Sequence, residues 1–352
     1  MTEFCLSTAS PVTDAPRTFA YRPRAEAGPR VSRPILRHTD LAALVVAWRR
    51  LSAAVDETPV DVVYANPCRF LQGPLVTTMT RRPTLYFCDE PRRVDYEPAA
   101  IASRSRATRW LYAPLYGIER RLDRHSVAAA TELVTNSRFT AGRIERAYGR
   151  TAAVIPLGVA DSFRAAGDLP GGHLLSVGTL IPSKGHDLVI RSAAAMRTPR
   201  DVVIVGPRHE PGEEQRLLDV GRALGARVEI RAGIDDAELR ALYATAHATL
   251  YLAREEPFGL ASLEAQACGC PVVVADEGGL PETIEDGVTG FAVVRRASEV
   301  GRALKLLEDP ARRAAMASSA RDRGAHATWE RSSHDVQMRL AALATVGGRA
   351  TS

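Results

Sequence analysis

Between residues 173 and 294 the chain alternates short apolar runs with longer amphipathic stretches. The runs are His173–Leu180, Asp201–Gly206, Arg227–Gly233, His247–Ala253, Pro271–Ala275 and Gly290–Val294, each of strand length and mostly rich in Val, Ile and Leu. Runs that are apolar at nearly every position suit strands covered on both faces, as in a parallel sheet flanked by helices. Helical stretches fill the gaps, and "DAELRALYATA" opens with Asp235 and Glu238 in the spacing of a capping box. The first half is less regular. It predicts a helix near Thr39–Val55 and strands at Val60–Ala65, Thr84–Cys88 and Glu132–Ser137. A helix "RFTAGRIERAYG" and a buried strand in Ala152–Val159 follow. Residues 1–35 are rich in Pro and Arg without a period, and Ala160–Gly172 has linker composition. The tail from Ala311 reads as helical, with a last helix from Trp329 to about Leu343. The expected fold class is α/β, with two halves alike in architecture.

Composition agrees with a globular chain. Its 352 residues suffice for two domains, and 45% of them are apolar against 25% charged. No window approaches the roughly 18–20 apolar residues of a membrane span. The opening "MTEFCLSTASPVTD" lacks the basic start and apolar run of a secretion signal. Five cysteines, an odd number, then point to reduced thiols in cytoplasm. Charge is uneven: +8 through residue 165 and −3 beyond it, for a total of +5. Basic and aromatic residues gather in "RSRATRWLYAPLYGIERRLDRH" (Arg104–His125). One reading is a face that meets anionic lipid or an anionic acceptor, a peripheral contact at the inner side of a membrane. The other is an ordinary amphipathic helix with a solvated Arg face. Nucleic acid is not expected, because Glu119 and Asp123 interrupt the arginines.

Candidate chemistry concentrates in "EEPFGLASLEAQACGCPVVVADEGGLPE" (Glu255–Glu282). A βα unit needs these apolar residues, but it has no use for Glu256 and Glu264 or for the pair Gly278–Gly279. Glu256 follows the strand His247–Ala253, at the carboxyl end where parallel sheets bind ligands. The helix beginning at Gly259 directs free N–H groups and about half a positive charge at that end, which suits a phosphate. Carboxylates on either side would repel a bare phosphate. They suit a ligand with diols flanking its phosphates, as in a nucleotide sugar, because a carboxylate accepts from vicinal hydroxyls. Two solvated surface acids are the plain alternative. In "VGTLIPSKG" (Val177–Gly185), a strand-end loop carries Lys184. The chain has 44 Arg and only two Lys, so a lysine in that loop stands out as a cation for a diphosphate. Cys268 and Cys270, one residue apart, suit a buried pair better than a metal knuckle.

Together, Glu256 and Glu264 in "EPFG…E", "GCPVVVA" before Gly-Gly, "VG…KG" and "NSRFT…VIPLGV" resemble the retaining family-4 glycosyltransferases of the GT-B fold. The likeness runs over about residues 130–335, and more loosely from residue 60. It implies two Rossmann-like domains with parallel sheets, the first incomplete. The boundaries expected are an irregular segment 1–35, an acceptor domain 36–165 and a nucleotide-sugar domain 166–328. A helix and tail over 329–352 would cross back. By this resemblance Lys184 binds the diphosphate, Glu256 the donor sugar and Glu264 the ribose hydroxyls. Phe258, Gly259 and Leu260 present backbone to the donor, and the nucleobase lies near Arg231–Ile234. The implied activity moves a sugar from a nucleoside diphosphate donor to a hydroxyl acceptor, without metal or cofactor. No Asp-x-Asp occurs in the chain. Three departures stand out. Thr179 replaces a common Arg after "VG", Asp89 and Glu90 stand where relatives offer a His, and the usual opening strand and Gly-rich loop are not recognisable. Asp89 is therefore a candidate catalytic carboxylate. A binding protein of the same fold with impaired catalysis is the rival reading.

Overall fold

A computed structural model describes residues 4–7, 17–20, 33–96, 106–164, 172–208 and 210–349. Contacts divide the chain into two compact units. The first holds residues 1–135, 141–155 and 335–352, and the second holds 136–140 and 156–334. The segment 136–140 is the surprise: it leads into and opens the helix Arg138–Tyr148 of the first half, yet it belongs to the second unit. The boundary expected at 165–166 falls on 165–171, outside the described residues, as does most of the linker Ala160–Gly172.

The opening segment, expected to be irregular and without a strand, carries β1 (Phe4–Ser7) and β2 (Arg17–Ala20), paired in parallel. Four-residue strands held by a partner ten or more positions away leave no periodicity to read. A separate parallel sheet of four follows, in the order β3 (Val63–Ala65), β4 (Thr84–Phe87), β5 (Glu132–Thr135) and β6 (Ala153–Val154). The buried strand expected over Ala152–Val159 shrinks to the two residues of β6, both half-buried, because Pro156 and Gly158 break the ladder beyond them. The helix Arg33–Asp56 covers this sheet with Leu44, Trp48, Leu51 and Val55, at helical spacing, in one core with Tyr86 and Leu133.

The helix Arg106–Ala129 contains the basic segment from Arg106 onward; Arg104 and the residues before it lie outside the described residues. Its acids do not interrupt the exposed arginines. Asp123 is fully buried and accepts from the N–H of Gly73 at 2.9 Å and from the Tyr148 hydroxyl at 2.8 Å. Glu119 is buried against Arg92, which also pairs with Asp95 at 3.0 Å. Both acids therefore serve the interior. The solvent side shows Trp110, 82% exposed, with Ile118, Arg120, Arg121 and Arg124. The sequence argument against nucleic acid, which set those acids among the arginines, does not survive this geometry.

The second unit is a six-stranded parallel sheet. Its strands are β7 (Leu174–Val177), β8 (Val202–Val205), β9 (Val228–Arg231), β10 (Ala248–Tyr251), β11 (Val272–Ala275) and β12 (Gly290–Val293), in the order β12-β11-β10-β7-β8-β9. β8, β10 and β11 are buried at every position, as their unbroken apolar runs require. The order reverses between β7 and β10, so the loops leaving those two strands open side by side at a topological switch point. Asp235 caps the helix Asp236–Thr245, its Oδ1 accepting from the Glu238 N–H at 2.8 Å. Cys68, Cys88, Cys268 and Cys270 are buried free thiols, and burial pushes Cys268 and Cys270 up to about 12.

Candidate active site

The loops after β7 and β10 supply the centre. After β7 the chain makes a single turn, Pro182–Lys184, and Gly185 starts the helix His186–Ala194. After β10 it passes through Glu255, a non-glycine in the left-handed region at φ +45°, before reaching Glu256. Such a conformation costs of order 1–3 kcal/mol and persists where the surroundings impose it. The N–H of Arg254 donates to the Ser183 carbonyl at 2.8 Å, tying the two loops together. His186 is buried beneath them, its Nδ1 2.8 Å from Ser176 Oγ and its Nε2 3.3 Å from the Thr179 carbonyl.

Lys184 thereby meets Glu256. Its Nζ donates to Oε2 at 2.7 Å and to the Tyr251 hydroxyl at 3.3 Å, and that hydroxyl donates to Glu256 Oε1 at 3.0 Å. The charged pair is 18% and 15% exposed, dry enough for the attraction to matter and open enough to reach a ligand. Two residues expected to share a site are thus in direct contact. Tyr251 was not anticipated, because it reads as one more apolar residue of the run "HATLYLA".

The glycine pair has a structural explanation. Gly278 lies at φ +71°, and a Cβ there would stand 2.6 Å from the Glu256 carbonyl and 2.7 Å from its nitrogen. A Cβ on Gly279 would stand 2.2 Å from the Pro257 carbonyl. The two residues lie flat on the backbone of Glu256 and Pro257, an approach that only glycine permits. The hydroxyls of Ser137 and Thr140 donate to that same Pro257 carbonyl at 2.5 and 3.2 Å. Glu282, from the turn Leu280–Thr283, caps the helix Arg138–Tyr148 by accepting from the N–H groups of Arg138 and Phe139 at 2.9 and 2.8 Å. Pro281 is the second residue of this single turn.

Gly259 precedes the helix Leu260–Ala267 at φ +111°, with Leu280 packed where a Cβ would go. Phe258 is buried in the core, which leaves its backbone, not its ring, for a ligand. Glu264, one turn along this helix, accepts from the Tyr243 hydroxyl at 3.0 Å. Burial raises its pKa and that hydrogen bond opposes the rise.

The remaining candidates are more scattered. Thr179 contributes its carbonyl to His186. Arg231 is held between Glu229 at 2.7 Å and Glu238 at 3.1 Å, so its guanidinium serves a surface acid pair. Ile234 packs half-buried against the core. Asp89 belongs to the first unit, just past β4, where Gln72 Nε2 and the Glu90 N–H donate to its Oδ1 at 2.8 and 2.9 Å. Burial, followed by the charge of Glu90, raises it to about 6. Among the described residues, no three His, Cys, Asp or Glu gather as a metal site.

A family model described as Glycosyl transferases group 1 matches residues 168–323. The D-inositol 3-phosphate glycosyltransferase of Acidothermus cellulolyticus is 34% identical over 224 residues, which cover 55% of this chain and 49% of that protein. That of Salinispora tropica is 34% identical over 247 residues, 60% of this chain and 50% of the relative. The chain spans about half the length of the curated relatives it matches. Two solved structures share its fold at 20% identity. Sucrose-phosphate synthase of Thermosynechococcus elongatus gives a TM-score of 0.72 over 97% of this chain and 88% of that one. HepE of Anabaena, in complex with UDP and glucose, gives 0.71 over 93% and 86%. The fold is therefore the GT-B glycosyltransferase fold. Residues 168–323 are a glycosyl transferases group 1 domain, and the chain is a homologue of the enzymes that carry it.

Proposed function

We propose that this chain transfers a sugar from a nucleoside diphosphate sugar to a hydroxyl acceptor, with retention at the anomeric carbon and without a metal. The observation that carries the reading is the Lys184–Glu256 pair at 2.7 Å, set where β7 and β10 diverge and beside the helix start at Gly259. An ammonium and a helix N-terminus stabilise the charge that grows on a departing diphosphate, and such preorganised electrostatics is usually the largest catalytic contribution. Glu256 orients the sugar hydroxyls and Glu264 holds those of the ribose, with Phe258, Gly259 and Leu260 offering backbone to the phosphates. The base lies near Arg231–Ile234, and Thr179 lines the phosphate side. The leaving diphosphate helps to deprotonate the acceptor on the same face of the sugar. Asp89 serves on the acceptor side as a carboxylate. HepE, solved with UDP and glucose, supports a nucleotide-sugar donor here. Acceptors in this reading are lipid-linked glycans, polysaccharides or secondary metabolites.

The chain works in cytoplasm, touching the inner membrane face through Trp110, Ile118 and the arginines of the helix Arg106–Ala129. No described helix is long and apolar enough to cross a membrane. A thermal-shift panel of UDP-, GDP-, ADP- and TDP-sugars tests the donor. The nucleotide sugar giving the largest shift is then assayed for nucleoside diphosphate release with and without EDTA. Binding without transfer or hydrolysis would favour a nucleotide-sugar-binding protein, and no shift with any donor would overturn the reading. Flotation with phosphatidylglycerol vesicles, lost in Trp110→Ser, tests the membrane contact.

A further inference from the structure

Tyr251 closes a ring of three side chains with the two residues on which the proposed donor site depends. It is the last residue of β10, 6% exposed and part of the core that also holds Phe258 and Leu280. Packing fixes that ring, so the hydroxyl keeps its place whatever Lys184 and Glu256 do. From there it donates to Glu256 Oε1 at 3.0 Å and accepts from Lys184 Nζ at 3.3 Å. The ammonium also lies 5.5 Å from the ring centroid, a cation–π distance. A phenylalanine would fill the same core. The oxygen is the part of Tyr251 that packing does not require.

Hydrogen-bond capacity suggests what the oxygen is for. The Lys184 ammonium has three donors, of which Glu256 and Tyr251 take one each. The Glu256 carboxylate offers about four acceptor positions, one on each oxygen being filled by Lys184 and Tyr251. Each charged group is held at two points and keeps capacity towards a ligand. Without the hydroxyl, the pair would keep one hydrogen bond, the contact at 2.7 Å, about which both long side chains can pivot. A site off by an ångström can lose about a hundredfold in rate.

We infer that Tyr251 is a positioning residue that locks Lys184 and Glu256 into one geometry for the diphosphate and sugar of the donor; this rests on the donor-site reading above. It never meets the reacting atoms and acts through the other two. Single-turnover donor hydrolysis tests it, using whichever of the UDP-, GDP-, ADP- and TDP-sugars most raises the wild-type melting temperature. In Tyr251→Phe, the hydrolysis rate should fall at least fivefold, while the donor concentration for half-maximal rate changes less than threefold. Tyr251→Leu, which also fills the core, should show the same split. In a Glu256→Gln background, adding Tyr251→Phe should cost less than twofold, because the group it orients has already changed.

Equal losses in both backgrounds, unchanged rates, or failure of both Tyr251 variants to fold would overturn the inference and leave the donor site standing. A wild-type protein whose melting temperature responds to none of the UDP-, GDP-, ADP- and TDP-sugars would instead remove the donor site, and this inference with it.

Discussion

The N–H of Gly279 donates to the carbonyl of Glu256 at 2.7 Å, fastening the glycine pair after β11 to the acidic turn after β10. This contact explains why two glycines follow the acid motif. They are the surface on which the turn carrying Glu256 rests, and their lack of side chains sets how close that turn can come.

Gly279→Ala should therefore be costly. Its Cβ would lie 2.2 Å from the Pro257 carbonyl, a clash with backbone that cannot swing aside. Chemical denaturation should show a loss of at least about 1–3 kcal/mol, as for overpacking, and the response to nucleotide sugars should disappear. Gly287 is the control: at φ +77° with nothing within 4 Å, its Ala variant meets only backbone strain. It should lose about 1–2 kcal/mol and keep donor binding.

Lys184→Ala and Glu256→Ala should each lower turnover at least tenfold, one decade being about 1.4 kcal/mol. Because the two touch at 2.7 Å, the double variant should lose far less than the product of the single losses. Turnover measured in all four proteins checks this. Unchanged rates in both single variants would remove their assignment.

Tyr243→Phe should reveal what Glu264 does. The Tyr243 hydroxyl bonds Glu264 and opposes the upward shift that burial imposes. Its removal should raise the pKa of Glu264 further, so that nucleoside diphosphate binding weakens on acidification at a higher pH than in wild type. Calorimetric titrations across pH 4–8 would show the displaced acid limb, and identical profiles would argue that Glu264 does not touch the nucleotide.

The two units should respond oppositely to acid. Asp89 and Asp123 are raised to about 6 from 3.8 by burial, so the folded first unit binds protons more tightly than the unfolded chain. The stability they contribute is complete below 3.8 and is lost as pH rises through about 6. In the second unit His247, fully buried and accepting from Arg313 at 2.8 Å, is lowered by burial and the nearby arginines to about 4. Its contribution is present above 6.5 and is lost as pH falls through about 4. Hydrogen exchange followed peptide by peptide between pH 4 and 7 should show these opposing slopes. Asp123→Asn should flatten the first.

Local pattern carried much of this molecule. Short apolar runs marked the six strands of the second sheet most plainly where both faces are covered, at β8, β10 and β11, whereas β9 carries Glu229 and Arg231 and is only partly buried. Lys184, Glu256, Glu264 and the glycines were legible because each is chemically out of place in its setting: a lysine in an arginine protein, acids and a glycine pair in a core-forming unit. Other features have no local signature. Tyr251 looks like core until its hydroxyl is seen against Lys184 and Glu256. Glu119 and Asp123 look solvated until Arg92, Tyr148 and Gly73 close over them. The capping of Arg138 and Phe139 by Glu282, more than 140 positions along the chain, joins segments that no window spans. Periodicity records which face of an element is buried. Which partner a polar atom finds is decided only when distant loops arrive at the same sheet end, and that is set by strand order rather than by neighbours in sequence.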